Sequence, residues 1–318
     1  MDKIGKLKKE DIVDLSKIKG FIWFDGEIID WQDANVHLLT HTLHYGLGVF
    51  EGVRAYNTPK GSSIFRLDDH TDRLFKSAET VSMKLPFSQI QLNDAHKQMI
   101  KLNNLTEAYI RPMCFYGSEG MGLRADNLEV HCMVAAWEWP SYMDPEAREK
   151  GIKVKLSSYT RQVRNPVSSA KVNGNYVHSI VALNEALSEG FDEALMLDVE
   201  GNVAEGSGEN FFIVKDNILF TPDLEASLDG ITRRTILDLA KELNINCKIR
   251  KLKVEDVFGA DEAFFSGTAA EVVPINSLDN KQIGKGGRGP ITEKLQRTYF
   301  DQVRGVREVN QNWHTLVE

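Results

Sequence analysis

Apolar positions along this chain alternate between a spacing of two and a spacing of three to four, and each change marks an element. In GFIWFDGEIIDW (20–31), two short apolar runs flank Asp25-Gly26, a pair suited to a tight turn, which predicts a hairpin at a sheet edge. SIFRLDDHTDRLFKSAETVSM, from Ser63, passes from a short strand into a helix, with Leu74 and Ala78 four apart and Asp68 or Asp69 as the expected cap. A second helix is predicted over 92–102, ending at Asn103-Asn104. AYIRPMCFYG and EVHCMVAAWEW read as strands, so Tyr109 and Arg111, two apart, share a face. An arginine in so aromatic a strand needs a partner, a carboxylate of the protein or of a ligand.

PSYMDPEAREK breaks the apolar pattern with Pro140 and Pro145. It predicts a smaller N-terminal domain (1–140), a linker (141–149) and a larger C-terminal domain (150–318). In the second half an amphipathic helix is expected over 177–188, stopping at Gly190. Strands then turn at Glu200-Gly201 and Asp216-Asn217, with the acidic, glycine-rich AEGSGEN between them. LDGITRRTILDLAKELN places Gly230 and Thr232 at the start of a long helix, where free backbone N–H groups can hold phosphate. FFSGTAAEVVPI sets Gly267, Thr268 and Ala269 after a strand, as a second turn lined with amides. GKGGRGP lacks the strand and helix framing of a nucleotide loop and reads as a flexible turn before the final helix.

With 318 residues, 42% of them hydrophobic, the chain can bury two cores of ordinary size. No apolar run approaches the roughly 18 residues of a membrane span. MDKIGKLKKE has no apolar stretch behind its lysines, which argues against a secretory signal and for a cytoplasmic protein. A net charge of -8, with no basic block interleaved with aromatics, disfavours nucleic acid as a partner. Cys114, Cys132 and Cys247 lie outside any CxxC and are expected as buried free thiols. His37, His41 and His44 have helical spacing but no accompanying acidic ligand pattern, so ordinary hydrogen-bonded histidines are expected there, with no metal.

The chemistry gathers at SSAKVNGNY (168–176), where Lys171 stands among small and amide residues. By itself this stretch is either an Asn/Gly loop with a solvated lysine or the site of an amine that joins covalently to an aldehyde. VHLLTHTLHYGLGVFEGVRAY brings Tyr45, Phe50 and Arg54 into one glycine-rich neighbourhood. Arg73 is a solvated helix arginine or an anion clamp, and Glu205 and Glu209 are candidates for orienting roles. Two amide-lined turns, arginines and a displayed lysine together suit a phosphorylated aldehyde.

Seven segments in order, HYGLGVFEGVRAY, FRLDDHTDRL, AYIRP, AKVNGNY, AEGSGENFF, LDGITR and SGTAAE, resemble the branched-chain-amino-acid aminotransferases of the fold-type IV pyridoxal-phosphate family over nearly the whole chain. The resemblance implies an α+β fold whose two domains hold pyridoxal 5'-phosphate between them. It implies reversible ping-pong transamination of L-leucine, L-isoleucine and L-valine with 2-oxoglutarate. Lys171 matches the Schiff-base lysine and proton carrier, Glu205 the acid facing the pyridine nitrogen, and Tyr176 the tyrosine near the cofactor hydroxyl. Arg73 matches the phosphate arginine, joined by backbone donors at Ile231, Thr232 and Thr268, while Glu209 is left structural. Phe50, Trp139, Tyr142 and Tyr176 match an aromatic substrate wall, completed by Tyr45 across a subunit interface. Tyr109 and the Thr268-Ala269 backbone match the α-carboxylate receptors, and Arg54 and Arg111 the partners of the glutamate side chain. A homo-oligomer follows, at least a dimer and in some relatives a hexamer. Among alternatives, a D-amino-acid aminotransferase would share the lysine and phosphate sites but orient its substrate differently, and the combination of HYGLGVFEGVRAY with AYIRP favours the L-branched-chain enzyme; the Arg54/Arg111 pair argues against a 4-amino-4-deoxychorismate lyase. A noncatalytic interaction protein has no need of Lys171, Glu205 and Arg73 together.

Overall fold

The computed structural model describes residues 14–139, 146–161, 166–307 and 310–317. They form two compact units. The first spans Val13–Pro140, Ala170–Asn175 and Gln302–Glu318; the second takes in Ser141–Ser169 and Tyr176–Asp301. The lysine segment and the C-terminal stretch therefore belong with the N-terminal part of the chain, which the break near residue 140 did not foretell. Hydrogen bonds cause this. Val172 bridges Val49, and the N–H of Gly174 donates to Gly46 O at 3.0 Å. The strand His314–Leu316 pairs antiparallel with Gly61–Phe65.

In the first unit an antiparallel sheet runs in the order His314–Leu316, Gly61–Phe65, Val53–Thr58, Ala108–Tyr116, Val130–Trp137, Phe21–Phe24, Glu27–Asp30, with Gly48–Phe50 also paired to Ala108–Tyr116. The expected hairpin is present: Asp25 and Gly26 both have positive φ, 49° and 94°, as a turn matching the strand twist requires. Helices Leu67–Thr80 and Gln89–Leu102 cover one face, burying Leu74, Met99, Ile110 and Val134 in a single core. The second helix starts earlier than expected because Ser88 and Gln91 form a capping box. The first helix is not capped by an aspartate. Arg66 holds the cap position in a left-handed conformation, its N–H donating to Trp313 O at 2.7 Å and its Nε to Asp69 at 2.7 Å. Asp68 accepts from Asn93 at 2.8 Å, so both carboxylates are engaged elsewhere.

In the second unit six strands close on themselves: Val203–Gly206, Glu193–Asp198, Ile152–Arg161, Glu271–Leu278, Glu262–Gly267 and Asn210–Lys215, which pairs back to Val203–Gly206 through Glu205 and Asn210. Ile218–Thr221 and Cys247–Ile249 extend the sheet. Ile152, Leu195, Phe211, Phe265 and Ile275 fill the centre. Helices Tyr176–Ser188 and Ile231–Glu242 lie close to the expected ranges. Two thiols are buried as expected, Cys114 and Cys132, their sulfurs 2.9 Å apart. Cys247 is a correction: it is exposed, on the last strand of the extended sheet, whose three residues all face solvent.

Glu193 begins a strand of the closed sheet and is buried, its Oε1 accepting from the Ala194 N–H at 2.6 Å. Burial pushes its carboxyl from 4.5 up to about 7. The folded protein therefore keeps a proton that the unfolded chain releases from pH 4.5 upward, so stability falls as pH rises through this window and levels off above about 7. Glu193→Gln is expected to raise the melting temperature at pH 8, with the gain vanishing near pH 4.5. Calorimetry across pH checks this, and a gain independent of pH would contradict it.

Candidate active site

In the first unit, Lys171 follows the short helix Pro166–Ser169, and its backbone is pinned on both sides. Its N–H donates to Ser77 Oγ at 3.0 Å, and its carbonyl accepts from the Phe50 N–H at 3.2 Å. The Lys171 ammonium lies 4.9 Å from the centre of the Phe50 ring. Arg73 is buried, not solvated: its Nε and one Nη donate to the two oxygens of Glu51 at 2.6 and 2.8 Å.

Tyr109 and Arg111 share a strand face as expected, and an Arg111 Nη donates to the Tyr109 hydroxyl at 3.1 Å. The guanidinium stacks 4.8 Å from the Phe50 ring centre and 5.4 Å from that of Tyr109. No protein carboxylate meets Arg111 among the described residues, and its buried Nε has no hydrogen-bond partner. Arg111 lines a cavity of about 430 Å³ together with Trp31, Met133, Ala135 and Trp137. Arg54 is buried on the neighbouring strand, directly across from Tyr109. Trp139 packs edge-on to Tyr109 at 4.5 Å. Tyr45 lies apart, 43% exposed, its hydroxyl accepting from the Gly122 N–H at 3.1 Å. Tyr142 lies outside the described residues. The three histidines are bonded to backbone: His41 to Gly122 O at 2.8 Å, His44 to Leu38 O at 2.9 Å, and His37 to the Leu39 N–H at 3.0 Å.

In the second unit Glu205 sits at the seam of the closed sheet, buried. One oxygen meets Arg161; the other accepts from the Leu228 N–H at 3.0 Å and Asn210 Nδ2 at 3.4 Å. Arg161 was missed in the sequence, since a partner 44 positions away carries no local signal. Ile231 and Thr232 open their helix, and Gly230 before them supplies no side-chain cap, so the first N–H groups suit an anion. A Cβ at Gly230 would overlap Asn210, which is why glycine is needed. Thr268 and Ala269 form the turn between Glu262–Gly267 and Glu271–Leu278. Tyr176 starts its helix, half-buried, and Glu209 packs beside Gly206 and Gly267, its carboxylate accepting from the Gly208 N–H at 3.0 Å. Each unit by itself carries donors of a matching chemistry: the first a fixed arginine and a displayed amine, suited to an anion and a carbonyl, the second an uncapped helix start suited to an anion.

This architecture is the α+β arrangement of the fold-type IV pyridoxal-phosphate enzymes. Residues 48–278 match the family described as Amino-transferase class IV. The branched-chain-amino-acid aminotransferase of Pseudomonas aeruginosa is 57% identical over 300 residues, 94% of this chain and 98% of its own. The crystal structure of the Escherichia coli branched-chain amino acid aminotransferase superposes with a TM-score of 0.92 at 42% identity, covering 95% of this chain and 100% of that one. The enzyme of the same name from Thermobaculum terrenum, in its PLP-form, gives 0.87 at 32% identity, over 94% and 99%. The chain belongs to the class IV aminotransferase family, and within it to the branched-chain-amino-acid aminotransferases.

Proposed function

We propose that this protein moves the amino group of L-leucine, L-isoleucine or L-valine to 2-oxoglutarate, using pyridoxal 5'-phosphate. What carries the reading is the match of nearly the entire chain to enzymes named for this reaction. The bound cofactor supplies a reactive carbonyl and an electron-accepting ring. Lys171 Nζ would be the amine that holds the carbonyl and, once the nitrogen of the incoming amino acid has displaced it, the free base that carries a proton to and from the substrate α-carbon. Its pinned backbone limits where that amine can reach. Glu205 presents its carboxyl group to the ring nitrogen, Arg161 and the Leu228 N–H fixing its direction. Arg73 and the N–H groups of Ile231, Thr232 and Thr268 hold the phosphate, and Tyr176 holds the ring hydroxyl. Tyr109 with the Thr268-Ala269 backbone receives the α-carboxylate.

Phe50, Trp139, Tyr142 and Tyr176 form the apolar wall, where each buried methylene contributes about 0.8 kcal/mol. Arg111, with Arg54, meets the side-chain carboxylate of glutamate. Tyr45 serves a second chain: it is exposed, as are Leu43 (63%) and Leu38 (83%) in the same stretch of sequence, apolar residues suited to another copy. We infer a cytoplasmic homo-oligomer of at least two chains, with 141–149 linking the two domains. No helix of the described residues is long and apolar enough to cross a membrane. Incubation with 2-oxoglutarate and L-leucine is expected to yield L-glutamate, with little formed from D-alanine. Glutamate formed preferentially from D-alanine would overturn the reading.

A further inference from the structure

Glu51 is the most deeply buried carboxylate among the described residues of the first unit, at 0% exposure. Oε1 accepts from Arg73 Nε at 2.6 Å, while Oε2 accepts from an Arg73 Nη at 2.8 Å and from His70 Nδ1 at 2.8 Å. His70, Arg73 and Ser77 are spaced three and four apart on Leu67–Thr80 and so share one helix face. That face holds Glu51 at one end and the Lys171 N–H at the other. Phe50, the residue before Glu51, donates its N–H to the Lys171 carbonyl.

A buried ion pair is a poor source of stability, since apolar packing of the same volume does as well or better. Its merit is direction. A guanidinium gripped along its Nε edge by a carboxylate lies in a fixed plane, with its opposite edge turned away from that carboxylate. Burial pushes His70 below its ordinary range, which favours the neutral ring that donates one hydrogen bond without setting a further cation beside Arg73 and Lys171. The carboxyl of Glu51 is held far below the usual range by Arg73 and His70 against the cost of its burial. It stays ionised, and the fork stays intact.

We propose that Glu51 and His70 are positioning residues that aim Arg73 at the phosphate group of the cofactor. The inference rests on the reading of Arg73 as the phosphate arginine. The test uses the cofactor-free protein and two probes, pyridoxal 5'-phosphate and pyridoxal, which lacks the phosphate. Glu51→Gln is expected to weaken binding of the phosphorylated probe by roughly 10- to 100-fold, the range of a lost charged hydrogen-bonded pair, and that of pyridoxal by less than roughly threefold. In an Arg73→Met background the same change should cost nothing further for either probe. His70→Leu should give a smaller loss of the same kind, and His70→Asn, which restores a donor near Nδ1, should recover it. If Glu51→Gln does not fold, the two His70 variants decide the question. Equal losses for both probes in Glu51→Gln or His70→Leu would overturn the proposal, as would an undiminished loss in the Arg73→Met background. An Arg73→Met protein that binds both probes as before would instead overturn the reading of Arg73 itself.

Discussion

Lys171→Ala is expected to lower transamination by at least roughly 10⁴-fold, because the proposed function gives one side chain both the covalent amine and the proton carrier. Cofactor affinity should fall much less, since in the proposed function Arg73 and the amides at Ile231, Thr232 and Thr268 serve the phosphate and not the carbonyl. The backbone should hold as well. Ser77 and Phe50 bond the Lys171 main chain, and alanine leaves both bonds in place. Borohydride treatment followed by peptide mass analysis checks the assignment: the cofactor mass should remain on the Lys171 peptide of the parent protein and on no peptide of the variant. A reduced adduct on another lysine would show that the amine was misassigned.

What could be read from the sequence divides according to the distance over which each feature is determined. The Asp25-Gly26 hairpin, the shared face of Tyr109 and Arg111 and the uncapped start at Ile231 depend on residues a few positions apart, so turn chemistry and periodicity reach them. The helix cap at Arg66 was not legible. Two nearby aspartates offered a better local cap, and what decides the matter is Trp313, on the returning C-terminal segment. The same holds for the seam at Glu205 and for its contact with Arg161, which exist only because six strands close. Arg73 shows the limit most clearly: its surroundings in sequence, DDHTDRLFK, read as a solvated helix surface. It is buried because Glu51, 22 positions earlier, brings a carboxylate to it. Motif resemblance pointed to Arg73 without giving that reason, and Glu51 and His70 lay inside two of the matching segments with no role attached.

Arg111→Met should separate the two half-reactions, because glutamate and leucine make opposite demands on one side-chain pocket. The guanidinium stands between Phe50 and Tyr109 with a buried Nε that no group among the described residues satisfies, an arrangement that a ligand carboxylate would complete. Methionine keeps much of the apolar stem and removes the donors. The half-reaction with glutamate is expected to lose about 2–4 kcal/mol of transition-state stabilisation, the range for a buried charge left without its partner. Leucine presents no carboxylate there, so its half-reaction should lose less than about 1 kcal/mol, the remainder reflecting lost stacking on Phe50. Arg54, across the ladder from Tyr109, will reduce the glutamate penalty without reversing the order. Single-turnover rates with each amino acid measure the two losses independently. Equal losses would mean that Arg111 braces Tyr109 for the α-carboxylate common to both substrates, through the 3.1 Å bond between them, and the side-chain carboxylate would then have to be met elsewhere.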